Sequence, residues 1–366
     1  MQQGERLKGL DDFKWIAAAL VVAIHTSPLE SLNKTADFLL TRVLARLSVP
    51  FFFMVTGYFV LYGAYKAGNF VKIKRTLIKL FFLYLGTTFL YLPVRLYQFI
   101  GEETFLHNNT PGTILLHMAK AFFFDGTYYH LWYLPAVGLG LVIAWAGLTI
   151  FGKKGTFLCA GVLYVIGLMG DSYYGLTEKI PVLDSCYVAM FRIFSHTRNG
   201  LFFAPLFLLL GYEAAAKIHS NGQVAGLMQE GGKTLRENKL FFYSTLLLMC
   251  GEGLGLHILG WQRHDSMYLL LPFCMQGLFG MLLLKEKGIL KIDVLKKEQW
   301  RSFYERGPML LYFLHPAVIL VVRGFVKVTG LTFLLTVSPV YYIAVLGGSL
   351  VLVYICLRIW DKFRLR

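Results

Sequence analysis

Lys14 and His25 stand eleven residues apart, and the stretch between them is apolar from Trp15 onward. At 3.6 residues per turn that is almost three whole turns, so both side chains fall on one helix face. Asp11, three residues before Lys14, is placed to pair with it. A histidine among Ala, Val and Ile is costly in a bilayer unless it faces a bundle interior or a wet cavity, so His25 reads first as a functional base or ligand group. The plainer alternative is a histidine satisfied by a neighbouring helix carbonyl. His315, just before Pro316, is a second such histidine and has the same two readings.

Four further stretches concentrate polar and aromatic residues. Phe124–Pro135 carries Asp125, His130 and Trp132, and Gly170–Gly175 carries Asp171. Thr197–Gly200 carries Arg198 and Asn199, and Trp261–Tyr268 carries Arg263, His264, Asp265 and Tyr268. Arginine holds carboxylates through paired, charge-assisted hydrogen bonds, and an aspartate accepts from an ammonium group. A rim holding both signs therefore suits a small zwitterion. Taken singly, each stretch has another explanation. Trp and Tyr form interfacial belts, and Thr197 or Asp265-Ser266 before an apolar run can cap a helix.

The elements that position these residues are membrane helices. Of 366 residues, 56% are hydrophobic and only 16% are charged, with a mean hydropathy of +0.57. A soluble domain carries about a quarter charged residues. Repeated apolar runs long enough to cross a bilayer define an all-α polytopic membrane protein, and they exclude a soluble enzyme, a disordered chain and a disulfide scaffold. Ten spans are expected, at roughly 13–30, 43–63, 76–100, 131–151, 156–170, 198–216, 239–260, 267–284, 309–327 and 335–358. Residues 113–124 read as an amphipathic helix, interfacial or re-entrant, and with the short run 156–170 this leaves nine or eleven spans open as well. No connecting segment is long and apolar enough to form a soluble core, so 1–366 is read as a single transmembrane domain. The 5 cysteines show no metal-ligand or disulfide spacing, and no metal site is expected.

The net charge of +15 belongs to loops rather than to nucleic-acid binding. About two thirds of the 36 Lys and Arg fall in segments 6–14, 66–79, 153–154, 217–239, 285–306 and 358–366. By the positive-inside bias, these segments are cytoplasmic, both termini lie inside, and the four polar stretches face outward.

In this order, the Lys14/His25 pair, Phe51–Tyr58, the Lys72–Lys79 basic loop, Leu131-Trp132-Tyr133-Leu134 and Leu314-His315-Pro316 resemble landmarks of the type 3 membrane acyltransferase family. Six stretches resemble more narrowly the membrane domain of the vancomycin-resistance serine racemases (VanT-type). They are Ile24–Pro28, Phe124–Thr127, Tyr129–Pro135, Gly170–Gly175, Thr197–Pro205 and Gln262–Tyr268. The family's first-span pattern is Arg, ten residues, then His; here Lys14 replaces the Arg, which keeps the charge but loses the planar fork. Many acyltransferase members carry a Glu shortly after the Trp of the fourth span, where this chain has Ala136, Val137 and Gly138 after Pro135.

The narrower resemblance implies a bacterial plasma-membrane domain that binds or imports L-serine for a cytoplasmic racemase domain, in cis or in trans. That supply supports D-Ala-D-Ser cell-wall precursors and vancomycin resistance. Substrate contacts then fall to His25, Asp125, His130, Trp132, Asp171, Arg198, Asn199, Arg263, His264, Asp265, Tyr268 and His315. Pyridoxal phosphate would belong to the racemase domain, and no cofactor is expected in this chain. The wider resemblance implies the alternative: an O-acyltransferase that moves an acyl group from acyl-CoA onto an extracytoplasmic acceptor, with His25 and Lys14 catalytic. A role as a mere anchor, and homodimerisation, stay open.

Overall fold

A computed structural model describes residues 7–101, 110–220, 231–284 and 298–364. Arg6, the basic stretch 285–297 and Arg366 lie outside the described residues. The described residues are mostly helical, with no strand among them. A helix lies on each of the ten expected spans, but those expected at 198–216 and 267–284 begin only at Ala204 and Leu271, after loop residues. Seven helices are long and apolar enough to cross a membrane: Lys34–Lys66, Val71–Gln98, Tyr133–Ile150, Gly152–Met169, Thr234–Leu259, Ser302–Thr329 and Ser338–Lys362. The other three are Lys8–Thr26, which carries Asp11, Asp12 and Lys14 in its first turns, Ala204–Ser220, and the short apolar Leu271–Leu283. The chain is a polytopic all-α membrane protein.

Local chemistry sets the boundaries. The first helix starts earlier than the apolar run, at Lys8. It stops at Thr26 because Ser27 turns left-handed, at φ +46°, ahead of Pro28. Asn33 caps the next helix by accepting from the Ala36 amide at 2.9 Å. Thr110 caps Pro111–Lys120, with proline at its first position, and a π-turn carries that segment to Asp125. The amphipathic reading of 113–124 thus has a helix under it. Pro181–Ile193 is a further helix that the apolar pattern did not mark.

The helices form two compact units. One comprises 1–52, 226–253 and 273–366, and the other comprises 53–225 with 254–272. In the first, Lys8–Thr26, Glu298–Thr329 and Ser338–Arg364 pack around Ala18, Val22, Leu311, Ile319, Val345 and Val353. The Trp15 indole lies against Gly307 and donates to the Tyr304 carbonyl at 3.2 Å, and the Tyr304 hydroxyl donates to the buried carboxylate of Asp12.

In the second unit, small residues bring backbones into contact. A Cβ at Gly57 would lie 2.0 Å from the Leu208 carbonyl oxygen, and one at Gly211 would lie 2.0 Å from that of Met54. The helices Lys34–Lys66 and Ala204–Ser220 therefore meet backbone to backbone.

Candidate functional site

Two groups of polar residues stand out, one in each unit. In the first unit, Lys14 donates to Asp11 at 2.7 Å, the pairing that their spacing implied. His25 and His315 stack, with ring centroids 5.3 Å apart and planes 21° from parallel. His315 is fully buried, and its Nδ1 lies 3.2 Å from the Leu311 carbonyl oxygen. A carbonyl only accepts, so Nδ1 carries the hydrogen and the lone pair of the neutral ring sits on Nε2. Pro316 supplies no amide to the preceding turn, and the ring also reaches the Tyr312 carbonyl there. The two intramembrane histidines are thus one feature rather than two.

The second group is a loop knot built on Asp171, which follows the helix Gly152–Met169. Its side chain is wholly buried. Oδ1 accepts from the amides of Ser266 and Met267, at 2.8 and 3.0 Å, and from the Ser172 hydroxyl at 3.0 Å. The Asp171 carbonyl accepts the Arg263 amide at 3.1 Å, and the Gly175 amide donates to the Trp261 carbonyl at 2.8 Å. Segment 261–268 therefore hangs on 171–175. Asp265 and Ser266 cap no helix, because the next helix begins only at Leu271; the Ser266 amide serves Asp171 instead.

Arg198 reaches the same knot. Its Nη1 donates to the Ser266 hydroxyl at 3.3 Å, and its guanidinium lies 5.2 Å from the Trp132 ring centre. Arg263 packs its guanidinium 3.6 Å over Phe191 and 5.3 Å over Tyr174, and Tyr174 donates to Asp184 at 2.6 Å. His264 stacks against His196, with centroids 4.2 Å apart. The Gln262 amide lies 3.5 Å from the Tyr268 hydroxyl. Nothing in the sequence marks His196 except its position two residues before Arg198.

Burial pushes the Asp171 carboxyl up to about 6, against the Ser266 amide, the Arg198 charge and the Met267 amide, which favour ionisation. Burial likewise pulls His264 down to about 4 and His196 down to about 2, and Arg198 adds to both shifts. Both imidazoles are neutral at ordinary pH.

Three sequence candidates serve the backbone. Asp125 accepts the Ser195 amide at 2.8 Å, which fixes the turn before His196. Asn199 is buried and accepts from the amides of Leu201 and Phe202 at 2.9 and 3.1 Å. Thr197, expected as a cap, instead donates to the Gly167 carbonyl at 2.7 Å, because its own turn lies several residues ahead of the helix at Ala204. His130 is buried with its ring edge-on to Tyr91 and Tyr128.

An apolar groove of about 310 Å³, lined by Leu77, Phe81, Tyr84, Phe122, Phe123 and Leu139 among others, touches neither polar group. No cluster of three or more metal-ligating side chains exists among the described residues.

Comparison with known proteins agrees with the order of landmarks. The family model described as an acyltransferase domain, that of the type 3 membrane acyltransferases, matches residues 7–358. An amino-acid racemase of Enterococcus faecalis is 40% identical over 288 residues, 77% of this chain and 37% of the relative. A second amino-acid racemase of that species is 35% identical over 365 residues, 98% of this chain and 47% of the relative. A serine/alanine racemase of Enterococcus gallinarum is 35% identical over 318 residues, 85% and 41% of the two chains. The chain spans less than half the length of these relatives. No solved structure matches it.

Proposed function

The chain belongs to the type 3 membrane acyltransferase family, and from that premise we propose that it is a membrane domain that binds or imports L-serine for a cytoplasmic serine racemase. The observation that carries this reading is that Asp171 and Arg198 meet on Ser266 in one buried knot, Asp171 through that residue's amide and Arg198 through its hydroxyl. An ammonium group suits a carboxylate held in low dielectric, and a carboxylate suits a guanidinium already fixed over Trp132. The Ser172 and Ser266 hydroxyls beside them can serve a hydroxylated side chain. The relatives' names supply the second half of the reading, since they combine a region like this chain with racemase activity. The racemase, in cis or in trans, would hold the pyridoxal phosphate. Its D-serine would enter D-Ala-D-Ser precursors, the basis of vancomycin resistance. Purified protein in proteoliposomes should take up labelled L-serine, and Arg198→Ala should abolish that uptake. Uptake at the level of empty liposomes would refute the proposal.

A specific observation favours a second reading, O-acyl transfer. Lys14 and His25 lie along one helix, and His25 stacks on a second buried histidine with a defined tautomer. An imidazole so placed can take a proton from an attacking hydroxyl. On this reading His25→Ala abolishes acyl-CoA turnover while folded protein remains in the membrane. Retained turnover would place the site elsewhere.

A further inference from the structure

The two carboxylate oxygens of Asp171 are treated unequally. Oδ1 accepts three hydrogen bonds, from the Ser266 and Met267 amides and the Ser172 hydroxyl. Oδ2 is sealed from solvent and accepts from no described residue. An ionised carboxylate spreads its charge over both oxygens, so ionised Asp171 leaves half its acceptor capacity buried with no donor from a described residue. A proton on Oδ2 removes that cost, and Oδ1 remains the carbonyl acceptor that its three donors need. We propose that Asp171 is a proton-binding site, protonated on Oδ2 while segment 261–268 is closed over it and ionised when that segment opens to water.

The groups around it set the direction. Arg198, from the turn before Ala204, and the amides of Ser266 and Met267 favour the ionised form; burial and Asp265 oppose it, and burial is the largest effect. His264 and His196 lie alongside, both held down by burial, Arg198 and Arg263, His264 to about 4 and His196, with Lys120 adding, to about 2. Asp125 faces the other side of that turn through the Ser195 amide, and Lys179 lies over Trp261. Between pH 5 and 7 Asp171 is therefore the group in the knot that changes charge.

In the closed knot its pKa is raised to about 6, whereas an Asp in water titrates near 3.9. The closed state binds the proton more tightly, so acid favours closure and rising pH favours opening. The opening constant should rise about tenfold from pH 5 to pH 7 and level off above.

Hydrogen exchange of the amides in 261–268, measured on the full chain in lipid nanodiscs and corrected for intrinsic rates, tests this with no substrate present. It stands apart from the serine reading for that reason. Wild type should show the tenfold rise, and Asp171→Asn should show none. Should Asp171→Asn fail to fold, two other variants decide the matter. Arg198→Gln should move the midpoint to higher pH, and Asp265→Asn should move it to lower pH. A flat wild-type profile, a slope that survives in Asp171→Asn, or both charge variants moving the midpoint the same way would overturn the proposal.

Discussion

Arg198 uses its guanidinium twice, over the Trp132 ring and as a donor to the Ser266 hydroxyl. A lysine keeps the charge but lacks the planar fork that lets one group lie over a ring and donate at the same time. Arg198→Lys should therefore weaken L-serine binding by roughly 1–3 kcal/mol, the scale of a charged hydrogen bond. Asn199 is its neighbour and its control. The Asn199 side chain caps the amides of Leu201 and Phe202, so Asn199→Ala should cost about 1 kcal/mol of stability and leave serine affinity unchanged in the folded fraction. Titration calorimetry and thermal unfolding on both variants separate recognition from scaffolding. Equal loss of affinity in both would mean that the knot only holds its own loops together. Ionised Asp171 is the form that attracts an ammonium group, so affinity should also rise with pH through about 6. Individual residues were legible in the sequence where a charge or histidine was out of place, as with Lys14 and Asp11. Their partners were not. His25 and His315 are 290 positions apart, and no periodicity encodes that they stack. Asp125 and Asn199 looked like ligand groups because a side chain that caps a backbone amide has the same chemistry as one that binds a substrate.

At the level of the helix, apolar length carries most of the information. A helix lies on each expected span, and seven of these helices are long and apolar enough to cross a membrane, because a backbone in lipid has no other way to satisfy itself. Pro181–Ile193 escaped that reading. It is short and amphipathic, with Val182 and Ile193 exposed and Tyr187 buried, and a hydropathy run does not reveal it. Glycines divide into two kinds that sequence cannot distinguish. At Gly57 and Gly211 an added methyl would meet a carbonyl at 2.0 Å, and a backbone atom cannot rotate away. Alanine ordinarily improves a helix by about 1 kcal/mol over glycine. Here separating the helices should outweigh that gain, and Gly57→Ala or Gly211→Ala should destabilise by about 1–3 kcal/mol. Gly251 has nothing within 4 Å of an added Cβ, so Gly251→Ala should be neutral or stabilising by up to about 1 kcal/mol. Unfolding midpoints in one detergent would check all three, and a stabilised Gly211→Ala would contradict the packing account.

For the whole molecule, sidedness is the expectation that the sequence states most directly and that a set of helices leaves undecided. The helix Gly152–Met169 has 18 residues and spans about 27 Å, close to the thickness of the hydrocarbon core. Lys153 stands at its start and pairs with Glu213 at 2.6 Å, and Lys217 lies 3.8 Å from the same carboxylate. That end carries a share of the basic loops. Asp171 and the knot with 261–268 stand at the other end. If Lys153 and Lys154 face the cytoplasm, as the Lys/Arg bias requires, the knot faces outward, where it can meet L-serine before the racemase does. A cysteine-free background is needed, because Cys159 and Cys186 are exposed. In intact cells Gln262→Cys should react with a membrane-impermeant maleimide, and Lys154→Cys should react only after permeabilisation. The reverse pattern would invert the protein and place Asp171 at the cytoplasmic face, which would turn an importer's entry site into an exit and leave the Lys/Arg bias without an explanation.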